Sequence, residues 1–79
     1  MPDYIRAIRA AIASEYDAIR LYEEIAEDAG TPDKVKKVML SVAREEKVHA
    51  GEFLELLCNL SPDEAAAYAE GQKEVEGMK

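Results

Sequence analysis

The tightest constraint on this chain is a run of apolar residues at heptad spacing that two polar residues interrupt. Val35, Met39, Val42, Glu46, His49, Phe53, Leu56 and Leu60 follow one another in steps of 4, 3, 4, 3, 4, 3 and 4. That pattern puts all eight on one stripe of a helix facing a partner helix. A carboxylate on such a stripe costs several kcal/mol unless something pairs with it. Glu46 and His49 stand at i and i+3, about one turn apart on a single face. Glu-x-x-His is the spacing with which helical bundles hold paired metal ions. The stripe therefore asks for a second helix that brings a counterpart to Glu46 and His49.

The upstream half of the chain supplies one. Ile5, Ile8, Ile12, Glu15, Ile19, Tyr22 and Ala26 step by 3, 4, 3, 4, 3 and 4, a second heptad stripe with one carboxylate in it. Ala7, Ala10, Ala11, Ala13 and Ala18 add helix propensity and slim flanks. Arg6, Arg9, Asp17, Arg20, Glu24 and Asp28 mostly fall off the stripe and read as a solvated face. No glycine or proline interrupts residues 4–29, so one long helix is predicted there, opened by Pro2 and by Asp3 as N-cap.

Gly30 is placed as a left-handed helix stop. Thr31-Pro32 reads as an N-cap followed by proline at the first helical position, starting a helix that runs to Leu60. A connection this short forces an antiparallel hairpin. Gly51 inside the second helix costs roughly 1 kcal/mol relative to alanine and is expected to allow close approach of another helix. Ser61-Pro62-Asp63-Glu64 is a third start with the pattern of a capping box. A short helix follows, which Gly71 is expected to end or weaken, and then a frayed polar tail. The division expected is a helical hairpin over residues 1–60 and a short C-terminal helix with its tail over 61–79. The fold class expected is all-α: an antiparallel two-helix hairpin plus a short C-terminal helix, dimerising into a four-helix bundle.

With 79 residues, the chain has room for one small core, and chains of this size usually add disulfides, a metal or self-association. The single cysteine, Cys58, excludes an internal disulfide and any Cys-x-x-Cys site, and it reads as a small buried hydrophobe. A formal charge of −7 argues against nucleic acid or an anionic membrane as partner and is compatible with drawing in cations. No apolar run is long enough to span a bilayer, and no signal-peptide pattern opens the chain.

Folding the hairpin at residues 30 and 31 brings the polar intrusions together. Glu15 lies 15 residues before Gly30, and Glu46 lies 15 residues after Thr31, so both stand about 22 Å from the turn. Glu15, Glu46 and His49 thus converge between the helices. Two carboxylates and one imidazole make half a site, and a hairpin leaves its stripe open on the far side. Pairing two hairpins removes both deficits and assembles four carboxylates and two histidines, the ferritin-like di-iron ligand set. Such carboxylate-rich coordination suits iron or manganese, and nothing in it favours structural zinc. Metal ligation needs neutral imidazole and ionised carboxylates, so it weakens as pH falls.

At these residues the chain resembles a known group. The segments Ala13-Ser14-Glu15-Tyr16-Asp17-Ala18-Ile19-Arg20-Leu21-Tyr22 and Ala43-Arg44-Glu45-Glu46-Lys47-Val48-His49-Ala50-Gly51-Glu52-Phe53 look like those of the encapsulated ferritins. These are two-helix, rubrerythrin-like relatives of ferritin, and the likeness is strongest to the ferritin-like domain that some archaea carry fused to the encapsulin shell protein. The resemblance covers roughly residues 3–62. It implies that Glu15, Glu46 and His49 are iron ligands and that Tyr22 stands close to the centre. It implies a ferroxidase that oxidises Fe(II) with O2 at a di-iron centre, two irons per dimer, formed across a two-fold interface, with manganese or zinc as substitutes. It further implies a homodimer assembling into a ring, typically a decamer, that acts inside a cytoplasmic encapsulin nanocompartment and stores mineral only with the shell. Where bacterial members carry extra glutamates flanking the first ligand, this chain has Ser14 and Asp17, which leaves Asp17 alone as a metal-entry candidate. No recognisable shell-targeting peptide ends the chain, which suggests a fragment of a longer fusion or an unusual cargo.

Other residues have plainer readings beside these. Glu45 points about 100° away from Glu46 and reads as surface; Glu52, one turn beyond His49, reads as surface or as a supporting carboxylate. Tyr22 fits core packing as well as a hydrogen bond or electron donation near iron. Two other functions stay open: a rubrerythrin-like di-iron peroxidase or oxidoreductase, and a non-catalytic structural bundle whose buried charges set register. A single cysteine leaves no rubredoxin-type iron centre in this chain, so a peroxidase would need a separate electron donor.

Overall fold

Apolar residues at helical spacing, broken at Gly30-Thr31-Pro32 and at Ser61-Pro62, give three helices. The computed structural model describes residues 3–78; within them α1 spans Asp3–Glu27, α2 spans Asp33–Leu60 and α3 spans Pro62–Glu76. The molecule is all-α. Helices α1 and α2 form the expected hairpin, α3 turns off its open end against α2, and no Cα of α3 comes within 8 Å of one in α1. The result is a slab of 45 × 38 × 14 Å, barely thicker than one helix with its side chains.

The α1 stripe lies where the heptad pattern puts it. Ile5, Ile19 and Ala26 are buried, and Ile8, Ile12, Glu15 and Tyr22 are half-buried. The α2 stripe does not. Its buried residues are Ala43, Ala50 and Leu57, with Glu46 and Phe53 half-buried between them. The seam thus passes through 43, 46, 50, 53 and 57, one residue beyond the predicted 42, 49 and 56. Leu57, at 1% exposure, is the most deeply buried large side chain, whereas Leu56 and Leu60 are 45% and 42% exposed. The physical reason is the two alanines, which let α1 lie close against this face. The larger apolar residues beside it are left looking outwards.

The turns also differ from expectation. Helix α1 stops at Glu27, two residues early, and no described glycine has a positive φ. Side chains close the helix instead. Asp28 Oδ1 accepts the Gly30 N–H at 2.8 Å, and the Asp28 carbonyl accepts the Thr31 N–H at 3.1 Å. The Thr31 hydroxyl donates back to the Ile25 carbonyl at 2.8 Å. Thr31 therefore satisfies the end of α1 and does not cap α2, whose N-cap position is Pro32 with φ −59° and ψ 147°. Asp3 lies in the first turn of α1, where a negative charge suits the helix dipole; Pro2 falls outside the described residues.

Ser61 occupies the N-cap of α3, but its side chain makes no capping bond; its backbone N–H goes to the Leu57 carbonyl, and the Glu64 carboxylate of the expected capping box goes to Arg9 and Tyr68. Gly71 does not end α3, which continues helical to Glu76. A Cβ at Gly51 or Gly71 would meet nothing within 4 Å, so no other helix of the chain approaches Gly51. Cys58 is half-buried, not fully buried.

Candidate metal centre

Glu15 projects from the middle of α1, and Glu46 and His49 project from the middle of α2. The hairpin brings all three together. One ligand atom from each lies within 4.8 Å of the others. His49 Nδ1 stands 3.8 Å from Glu15 Oε2 and 3.6 Å from Glu46 Oε2. Neither separation is a hydrogen bond, which for N–H···O falls near 2.7 to 3.2 Å. Both are closer to the spacing of ligands that share one ion, roughly 3 to 3.5 Å apart for metal bonds of about 2.1 Å.

The carboxylates are sheltered and the imidazole is not. The side chains of Glu15, Glu46 and His49 are 15%, 20% and 48% exposed. Glu15 Oε2 is fully buried and has no hydrogen-bond partner. A buried oxygen without a partner forfeits its hydration with nothing in return, and a cation beside it would supply the missing interaction. The residues present therefore fit a divalent metal bound through oxygen and nitrogen.

The heptad reading placed His49 on the buried seam. It sits instead at the seam's edge, because Ala50 takes the inward position. Val38, Val42, Leu56 and Leu60 share its side of α2 by helical periodicity, and Val38, Leu56 and Leu60 are 48%, 45% and 42% exposed. The open side of the cluster is thus flanked by apolar surface. Glu45, Glu52 and Asp17 are exposed, as their positions off the seam predict. Tyr22 is half-buried seven residues beyond Glu15, about 10 Å further along α1. On the opposite side of the hairpin Lys47 Nζ donates to Glu23 Oε2 at 3.1 Å, a cross-helix pair that the pattern of charges did not single out.

No helix among the described residues is long and apolar enough to cross a membrane. The rubrerythrin family model matches residues 7–77. Over 76 residues the chain is 43% identical to a ferritin-like–encapsulin shell fusion protein of Pyrococcus furiosus, covering 96% of this chain and 22% of that protein. Over 61 residues it is 41% identical to the encapsulin nanocompartment cargo protein EncC of Myxococcus xanthus, covering 77% of this chain and 46% of that one. The chain therefore spans well under two thirds of either relative. The crystal structure of the encapsulated ferritin domain from Pyrococcus furiosus superposes with a TM-score of 0.91 at 40% identity, covering 100% of this chain and 84% of that one. A two-helix hairpin with its short third helix, a Glu facing Glu-x-x-His across the seam, and these matches lead to one conclusion: the chain belongs to the rubrerythrin family of ferritin-like proteins and is a close homologue of the encapsulated ferritin domain.

Proposed function

We propose that this protein is a ferroxidase that oxidises Fe(II) to Fe(III) with O2 at a di-iron site shared by two copies of the chain. The observation that carries this reading is the buried, unpartnered Glu15 Oε2 facing a second carboxylate and an imidazole on the opposite helix. Three ligand groups are too few for two irons. A second hairpin related by two-fold symmetry would contribute its own Glu15, Glu46 and His49, as an isologous contact requires. It would also cover the apolar surface beside His49, which a small chain has good reason to bury.

In this arrangement the two copies of Glu15 and Glu46 would match the formal charge of two ferrous ions, and each His49 would offer one neutral nitrogen to an iron. Neutral nitrogen and anionic oxygen together favour iron or manganese over soft-metal chemistry. Two ferrous ions held there as substrate would supply one electron each, and with two protons from water these reduce one dioxygen to hydrogen peroxide and leave two ferric ions. The apolar residues around the cluster keep bulk water from the buried carboxylates. Tyr22 is assigned a place near the edge of the assembled site, where its hydroxyl can donate a hydrogen bond or an electron. The two curated relatives, a shell fusion and an encapsulin cargo, support a place for this activity inside an encapsulin compartment; the role proposed there, for a ring-shaped assembly of this chain, is iron storage and detoxification.

The test is the rate of Fe(II) oxidation in air, followed by absorbance, for the assembled protein and for Glu46→Ala at equal concentration. Oxidation well above the protein-free rate is expected for the parent and the protein-free rate for the variant. A parent no faster than buffer would end the ferroxidase reading and leave a structural bundle. The family match also admits a peroxidase; faster turnover with peroxide and an electron donor than with Fe(II) and O2 would favour it.

A further inference from the structure

Helix α3 has no buried residue. It leaves α2 through the single corner residue Ser61, at φ −131° and ψ 83°, and packs only against α2. A fifteen-residue helix held by one corner has little packing to fix its direction. One set of side-chain bonds does reach it from across the molecule. Arg9 Nε on α1 donates to Glu64 Oε1 at 2.9 Å, and Arg9 Nη2 donates to the same oxygen. The Tyr68 hydroxyl donates to Glu64 Oε2. Glu64 and Tyr68 are four residues apart on α3 and so share a face.

Isolated surface ion pairs contribute little. This one differs in three respects. Both carboxylate oxygens are engaged, the planar guanidinium presents two N–H groups to one of them, and the Glu64 side chain is only 14% exposed. The Arg9 hydrogen bonds, and then the Tyr68 hydroxyl, hold the Glu64 carboxyl below its ordinary range. Arg9 and Tyr68, with Ile12, Leu54 and Leu57, line an open cleft of about 380 Å³. A second cleft of about 520 Å³, walled by Cys58, Ala65, Tyr68 and Ala69, lies in the angle between α2 and α3. The shapes of both depend on where α3 points.

We propose that Arg9, Glu64 and Tyr68 form a latch that sets the angle of α3 to the hairpin, and that α3 pivots about Ser61 when the latch is open. The device is independent of the metal cluster, since none of its three residues belongs to it. The test is a pulsed-EPR distance between spin labels at Lys37→Cys and Glu74→Cys, both exposed, in a Cys58→Ala background. Labelled chains are diluted into unlabelled protein in its assembled form, so that only distances within one chain are read.

A single narrow distance is expected with the latch intact. Arg9→Met removes the donors while keeping the stem, and should broaden or shift that distance without loss of helical circular dichroism. An unchanged distribution in a folded Arg9→Met protein would overturn the latch and assign the angle to the Ser61–Pro62 corner alone. Should Arg9→Met lose helix content, Glu64→Met removes the acceptor on α3 while leaving α1 untouched. Broadening there supports the latch, and an unchanged width overturns it.

Discussion

Glu15 Oε2 is, among the described residues, the one buried side-chain oxygen without a hydrogen-bond partner. In the metal-free protein such a group is a liability, and replacing a buried charge by an apolar side chain of similar volume is often neutral or stabilising. Glu15→Met is therefore expected to melt at or above the parent's temperature without metal, by thermal denaturation followed by circular dichroism. Added Mn(II) should raise the parent's midpoint and leave the variant's in place, because only the parent binds in the folded state. A second residue-scale prediction concerns Glu64. Its carboxyl lies below the ordinary 4.5 because Arg9 and Tyr68 stabilise the charged form. The stability it contributes is accordingly complete above that ordinary value and is lost only as pH falls through the lowered one. An NMR titration should find its midpoint below 4.5 in the parent and moved upwards in Arg9→Met. The cluster at Glu15, Glu46 and His49 was legible from spacing because i, i+3 and a turn count fix positions along helices. The Arg9–Glu64 bond was not: 55 residues separate its partners, and many other Arg–Glu pairs were equally available.

At the scale of the element, α2 is a helix with an apolar band wider than a single seam. A heptad template fitted to its larger residues runs through Leu56 and Leu60, while the contact with α1 runs through Ala43, Ala50 and Leu57. Both stripes exist, and they lie side by side on the helix. The template favoured bulky residues; packing selected small ones, because close approach of two helices buries more of each. Leu57→Ala should cost about 2 to 5 kcal/mol, as large-to-small changes in a core do, and the shift should be the same at every protein concentration in denaturant titrations. Leu56→Ala should act through association instead, so its effect should vary with concentration. Turn chemistry misled in a related way. Gly30 and Thr31 have the residue types of a left-handed stop and an N-cap, but the Asp28 carboxylate and the Thr31 hydroxyl satisfy the end of α1 with ordinary backbone angles. Local propensity named the place of the break and not the bonds that close it.

For the whole molecule, a slab 14 Å thick cannot enclose a metal site from all sides. The face bearing His49, Val38, Leu56 and Leu60 stays open in the single chain. If a second copy covers it, a charge placed there should separate the copies while leaving every ligand residue intact. Leu56→Asp is expected to shift the protein to monomer by light scattering, to keep its helical circular dichroism, and to lose Fe(II) oxidation. A monomeric variant that oxidised iron at the parent rate would refute the shared site. The sequence by itself determined the number of helices and, apart from the C-terminal end of α3, their limits to within a few residues, together with the antiparallel hairpin and the meeting of Glu15, Glu46 and His49. All of these follow from periodicity, chain breaks and the fixed rise of a helix, which act locally along the chain. Only the tertiary structure decided which of two adjacent stripes on α2 faces inwards, that His49 lies at the open edge, and that α3 is tied to α1 through Arg9. Those depend on how closely two surfaces approach and on contacts between distant residues, and no pattern confined to one segment carries that information.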